Sequence, residues 1–130
     1  VGINFNLVIF PEGTTSDGNR VLPFKSSLFS IVEKKQGKAT SIQSFSICYC
    51  GINGLPLERR TRPLVTWFGD MQLAKHFWQI LKFNSIKVIL LFHPKISTEG
   101  MNRKMISNLS QAQVSDGLAN ALSRNRGIND

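Results

Sequence analysis

The strongest constraint in this sequence is a break. An apolar run, Ile3-Asn4-Phe5-Asn6-Leu7-Val8-Ile9-Phe10, ends on Pro11, and residues 12–20 are then almost entirely polar or glycine. The run predicts a strand over about residues 5–10 that needs sheet neighbours on both sides. Pro11 has no N–H to give a ladder, so the strand must stop there. The polar stretch holds Gly13 and Gly18 for positive φ, and short side chains that can hydrogen-bond their own backbone. Because it opens without Met directly into such a strand, the sequence reads as a piece of a longer protein.

Farther along, Pro23 introduces a helix predicted over residues 26–35, with Gly37 as its stop. Residues 44–49 read as a second strand with Phe45, Ile47 and Tyr49 on one face, and residues 51–56 as a loop. Residues 64–68 are extended or a short strand. A helix capped by Asp70 runs to about Phe83, and a strand covers residues 86–92. From about residue 102 to 130 the pattern is that of a weakly ordered helical tail, interrupted at Ser115-Asp116-Gly117. Strands separated by helices predict a single α/β domain over residues 1–130, with a partly parallel sheet flanked by helices.

Hydrophobic residues make up 42% of the 130, which excludes global disorder. Sixteen Lys and Arg against eight Asp and Glu give a net charge of +8, so an anionic partner is expected. No apolar run approaches the roughly 20 residues of a membrane span, and no signal-like leader is present. Cys48 and Cys50 share one face of an extended strand, which holds them too far apart to bridge. His76 and His93 read as packed or surface residues, because no third ligand or Cys-x-x-Cys spacing supports a metal site. No G-x-S-x-G elbow supports a serine nucleophile.

The chemistry is concentrated in Phe10-Pro11-Glu12-Gly13-Thr14-Thr15-Ser16. A strand delivers a carboxylate, a glycine and hydroxyls at its carboxyl end, where open α/β sheets place ligands. Read from spacing alone, the same stretch also suits a plain strand-ending turn with a solvated Glu12. With Leu22-Pro23-Phe24-Lys25 after it, the segment resembles the glycerolipid-binding block of the 1-acyl-sn-glycerol-3-phosphate acyltransferases, which reads F-P-E-G-T-R-S and is followed by a Phe-Lys pair. Trp67-Phe68-Gly69-Asp70-Met71 and His76-Phe77-Trp78 extend the likeness.

The resemblance implies an incomplete glycerolipid acyltransferase-like domain. It transfers a fatty acyl group from acyl-CoA or acyl carrier protein, without a further cofactor, to 1-acyl-sn-glycerol-3-phosphate or a related lyso-lipid. The implied location is peripheral, on the cytoplasmic face of the cell membrane, against an anionic surface. Glu12 and Gly13 would hold the acceptor head group, with Thr14 and Ser16 shaping the loop. Thr15 stands where most members have the Arg that grips the acceptor phosphate. Recognition would then fall to Arg20, Lys25 or backbone N–H groups, or to an acceptor without a terminal phosphate. The Pro-Val usual in the next block is replaced around Ser44 and Phe45.

The larger departure concerns the base. The family's H-x-x-x-x-D motif, with His as general base, precedes the loop block. Here position 81, five after His76, is Leu, and position 98, five after His93, is Thr. The chain alone is therefore expected to have no acyl transfer activity, either as a truncation or as a non-catalytic remnant. A basic nucleic-acid-binding module is the alternative from another class, but the basic residues are not interleaved with aromatics as in an RNA-binding pattern. Phe77, Trp78, Leu81 and Phe83 beside Lys75, Lys82 and Lys87 suit a lipid interface or a packed core, and core is the expectation. Arg59, Arg60 and Arg62 read as a solvated loop rather than a phosphate cluster.

Overall fold

The computed structural model describes residues 7–33 and 41–126. A 3-10 turn, Ser26–Phe29, runs into the single helical turn α1, Ser30–Glu33. Then come β1 (Ser41–Ile42), β2 (Phe45–Ile52), β3 (Leu55–Pro56), a 3-10 turn (Arg62–Leu64), α2 (Leu73–Ile80), β4 (Ile86–Phe92), β5 (Ile96–Ser97) and α3 (Arg103–Arg126). The expected second strand, the strand over residues 86–92 and the helices flanking them are present. Residues 34 and 35 of the expected first helix, and its stop at Gly37, lie outside the described residues.

The central sheet has the order β3-β2-β4, and β1 pairs with β5 in a separate two-stranded ladder. All these pairings are antiparallel, so the fold is mixed α/β, and the parallel pairing expected from the sequence is not found among the described residues. A parallel return needs a crossover helix lying across the sheet. α2, the helix between β2 and β4, is too short and too exposed to be one: of its eight residues only His76 is buried. Residues 7–10 form no strand, and Leu7, Val8 and Phe10 are exposed; the rest of the expected first strand lies outside the described residues.

Three local corrections have local causes. Residues 51–56 form a hairpin rather than a loop, because Asn53 (φ 50°) and Gly54 (φ 80°) make a two-residue turn with both central residues in the left-handed region. Residues 64–68 form no strand, because the Leu64 and Val65 N–H groups donate back to the Thr61 and Arg62 carbonyls at 3.0 and 3.1 Å in the 3-10 turn. α2 begins at Leu73 with Gln72 as its cap, not at Asp70, since Trp67 Nε1 donates to the Met71 carbonyl at 2.7 Å and holds the preceding residues in a loop.

The core lies between one face of the sheet and α3. Alternation along β2 buries Ser46, Cys48 and Cys50 while Phe45, Ile47 and Tyr49 stay half-exposed on the other face. Cys48 and Cys50 pack with Leu118 and Ala121 of α3, with Ile89 and Leu91 of β4 alongside. Both thiols are free. α3 passes through residues 115–117 without the expected interruption. Its Gly117 sits at the closest helix-to-sheet approach: a Cβ there would lie 2.4 Å from His93 Cε1 and 2.5 Å from Ser46 Oγ. Omitting that one atom lets the helix lie down on the sheet.

Candidate functional site

Past Phe10 the chain bends at once. Gly13 N–H donates to the Phe10 carbonyl at 3.1 Å, and Lys25 N–H donates to the Pro11 carbonyl at 2.8 Å. Gly13 takes φ 65°, and a Cβ on it would come within 2.7 Å of Lys25 Nζ. The lysine side chain therefore lies across bare glycine backbone.

Side chains supply the loop's remaining order. Glu12 Oε2 accepts from Leu22 N–H at 2.7 Å. Ser16 Oγ accepts from Gly18 N–H at 3.3 Å and donates to the Arg20 carbonyl at 3.2 Å. Asp17 accepts from Asn19 twice, at 3.0 Å from the backbone and 3.1 Å from the side chain. The side-chain bond is the main reason the Asp17 carboxyl is held below its ordinary 3.8; partial burial opposes it, and the backbone bond, Arg20 and Arg59 reinforce it. Glu12 is thus a loop staple as well as a lining group, not the solvated residue of a plain turn.

Arg62 ties this loop to the sheet. Only 4% exposed, it donates from Nε to the Tyr49 carbonyl at 2.9 Å, from Nη2 to the Leu57 carbonyl at 3.0 Å, and from Nη1 to Asn19 Oδ1. Asn19 also donates to the Arg59 carbonyl at 3.1 Å. The expectation of a solvated loop holds for Arg59 and Arg60, which are exposed, and fails for Arg62. A hollow of about 820 Å³ runs past all three arginines and Asp17.

The loop, β2, α2 and α3 enclose a cleft of about 400 Å³. Of the residues picked out from sequence, Glu12, Thr14, Thr15, Ser16 and Arg20 line it, whereas Gly13 and Lys25 do not. Among the described residues, Glu12 is the one carboxylate and Arg20 the one Lys or Arg along this lining, which Thr15 shares. α2 contributes Leu73, His76, Phe77 and Ile80 to the same lining. These positions follow a three-and-four spacing, so the sequence carried a signal for His76 that a count of histidines overlooks. Phe77, Trp78 and Leu81 are 55, 67 and 56% exposed, which overturns the packed-core expectation for them.

The two histidines differ in kind. His93 Nε2 lies 2.7 Å from Ser46 Oγ, whose hydroxyl donates to the Val114 carbonyl at 2.8 Å. Serine has one hydrogen, so the imidazole is the donor to it. A base that activates a nucleophile must accept that hydrogen, so this pair pins α3 to β2 and does no nucleophilic chemistry. His76 is 3% exposed, and neither ring nitrogen has a partner. Among the described residues, no group of three or more His, Cys, Asp or Glu could hold a metal ion. Among the described residues, no helix is long and apolar enough to cross a membrane.

Comparison with known proteins points to one family of enzymes. The family described as Acyltransferase matches residues 4–48, which include the loop and the start of β2. A lyso-ornithine lipid O-acyltransferase of Brucella abortus (strain 2308) is 39% identical over 121 residues, covering 89% of this chain and 45% of its own length. The protein of that name from Rhizobium meliloti (strain 1021) is 36% identical over 121 residues, covering 89% and 41%. That from Rhodobacter capsulatus is 29% identical over 116 residues, covering 87% and 40%. The chain thus spans less than half the length of the curated relatives it matches. No solved structure matches it.

Proposed function

Because the chain belongs to the acyltransferase family, we propose that it forms the acceptor-binding part of a lyso-lipid O-acyltransferase, and that the acceptor carries an amino-acid head group of the lyso-ornithine type. One observation carries the choice of acceptor: among the described residues, the cleft lining holds a single carboxylate, Glu12, and a single guanidinium, Arg20, with Thr15 in the same lining. A phosphate head group calls for converging positive charge, and the described residues of the lining do not provide it. An ornithine head group pairs a carboxylate with an amine, and one acid with one base matches it.

In the reaction an acceptor hydroxyl attacks the carbonyl carbon of a thioester on coenzyme A or acyl carrier protein. The O–C bond forms, the C–S bond breaks, and the hydroxyl proton passes to a base and then to the thiol. This chain's share is orientation: it holds the head group so that the hydroxyl reaches the thioester. Neither histidine opens an H-x-x-x-x-D sequence, and His93 is committed to Ser46. The base therefore comes from polypeptide beyond these 130 residues. The +8 charge favours encounter with acidic carrier protein or anionic lipid, and the exposed aromatics of α2 with Lys75 and Lys82 form the face that meets the cytoplasmic side of the membrane.

Flotation with vesicles containing lyso-ornithine lipid, against vesicles containing lysophosphatidic acid, tests the acceptor. Preferential binding to the first, lost in Glu12→Ala, is expected; preference for lysophosphatidic acid restores 1-acyl-sn-glycerol-3-phosphate as acceptor. Acyl transfer to either lipid above the Glu12→Ala level would overturn the inactivity of the isolated chain. Steeply salt-dependent oligonucleotide binding without vesicle binding would favour the nucleic-acid reading.

A further inference from the structure

We propose that His76 is a head-group ligand: it hydrogen-bonds the carboxylate of the bound acceptor and so helps select it. The inference deepens the proposed function and rests on it. A neutral imidazole carries one N–H donor and one lone-pair acceptor, and in a folded interior such groups are nearly always paired. His76 is 97% removed from solvent and pairs neither nitrogen. The same fold shows what a satisfied imidazole looks like, since His93 holds Ser46 at 2.7 Å. A structural role is the simplest reason to bury a histidine, yet His76 ties nothing together.

Its position supplies the alternative. His76 lines the cleft together with Leu73 and Ile80 of α2, and Glu12, Thr15 and Arg20 belong to the same lining. No side chain or backbone group bonds either ring nitrogen, so a ligand entering the cleft is the available partner. A carboxylate accepts from a ring N–H in bonds stronger than those between neutral groups. With Arg20 at the same cleft, the head-group carboxylate gains two donors, and Glu12 is left for the amine.

The purified 130-residue chain, labelled with 15N, allows a direct test because it has only two histidines. N-octanoylornithine is titrated in, with N-octanoylornithinamide, which lacks the carboxylate, and octanoyl glycerol 3-phosphate as matched probes. The His76 ring nitrogens should shift with the first probe and not with the amide, while those of His93 stay still. His76→Phe should weaken N-octanoylornithine binding about tenfold, with partial recovery in His76→Asn. Binding of that probe that depends on Glu12 but leaves the His76 ring unmoved would overturn the role of His76 and keep the acceptor reading. Tighter binding of the phosphate probe, or none of any, would overturn both. Ring shifts in the unsubstituted chain keep the test decisive should His76→Phe fail to fold.

Discussion

Arg62 and Asn19 meet through a guanidinium-to-amide hydrogen bond that joins the sheet to the loop lining the cleft. Arg62 also donates to the Tyr49 and Leu57 carbonyls, so one buried cation sets the loop's distance from the sheet. Replacing it leaves buried carbonyls unpaired. Arg62→Lys should cost about 2–4 kcal/mol of stability and weaken acceptor binding with it. Arg59→Ala, at an exposed neighbour, should stay within about 0.5 kcal/mol. Urea denaturation of both variants checks this; equal behaviour would refute the anchoring role.

Gly117 sets two effects against each other. In a helix interior, Ala is favoured over Gly by about 1 kcal/mol. A Cβ at this position would sit 2.4 Å from His93 Cε1 and 2.5 Å from Ser46 Oγ, far inside contact distance, so overpacking should win by about 1–3 kcal/mol. Gly117→Ala is therefore expected to lower the melting temperature by several degrees, and a rise would show that α3 does not lie this close to β2.

The exposed wall of α2 predicts electrostatic vesicle binding. Trp78→Ser should reduce flotation at any ionic strength. Lys75→Gln with Lys82→Gln should reduce it roughly thirtyfold on anionic vesicles at low salt, at about 1 kcal/mol per lysine, and little on neutral ones. Unchanged flotation in both variants would remove α2 from the membrane face.

Asp17 makes folding sensitive to acid. Its carboxyl is held below 3.8 in the folded chain, chiefly by Asn19, so the unfolded chain takes up the proton first. The stabilisation is full above the unfolded value and is lost as pH falls through the folded one. Denaturation between roughly pH 5 and pH 3 should show a shallower loss of stability in Asp17→Asn than in the parent chain. Parallel curves would exclude this contribution.

Cys48 and Cys50 are almost fully buried. Burial is the main reason the Cys48 thiol is pushed up from its ordinary 9.0; Cys50 adds to the shift and Arg62 opposes it. Because thiolate is the reactive form, a thiol-reactive dye at pH 8 should label the folded chain slowly and both cysteines quickly in denaturant. Rapid labelling of the folded chain would place them outside the core.

Period and punctuation located much of this molecule in advance. Pro11 and the short polar side chains after it marked a loop, and the apolar stretch over residues 86–92 became β4 with those bounds. Alternation put Cys48 and Cys50 on one face, and the glycine-rich carboxylate loop identified five residues of the cleft lining. All of these depend on neighbours a few residues apart, which linear order records. Arg62, His76 and Gly117 gave no comparable signal of their roles. Those roles come from contacts with Asn19, with the lining of a cleft, and with His93, none of them local in the chain. Strand direction also depends on how a connection packs, and α2, left standing at the cleft, returned the chain antiparallel where alternation alone had suggested a crossover. Spacing reports which face a residue occupies; what that face meets is settled only when distant segments close on one another.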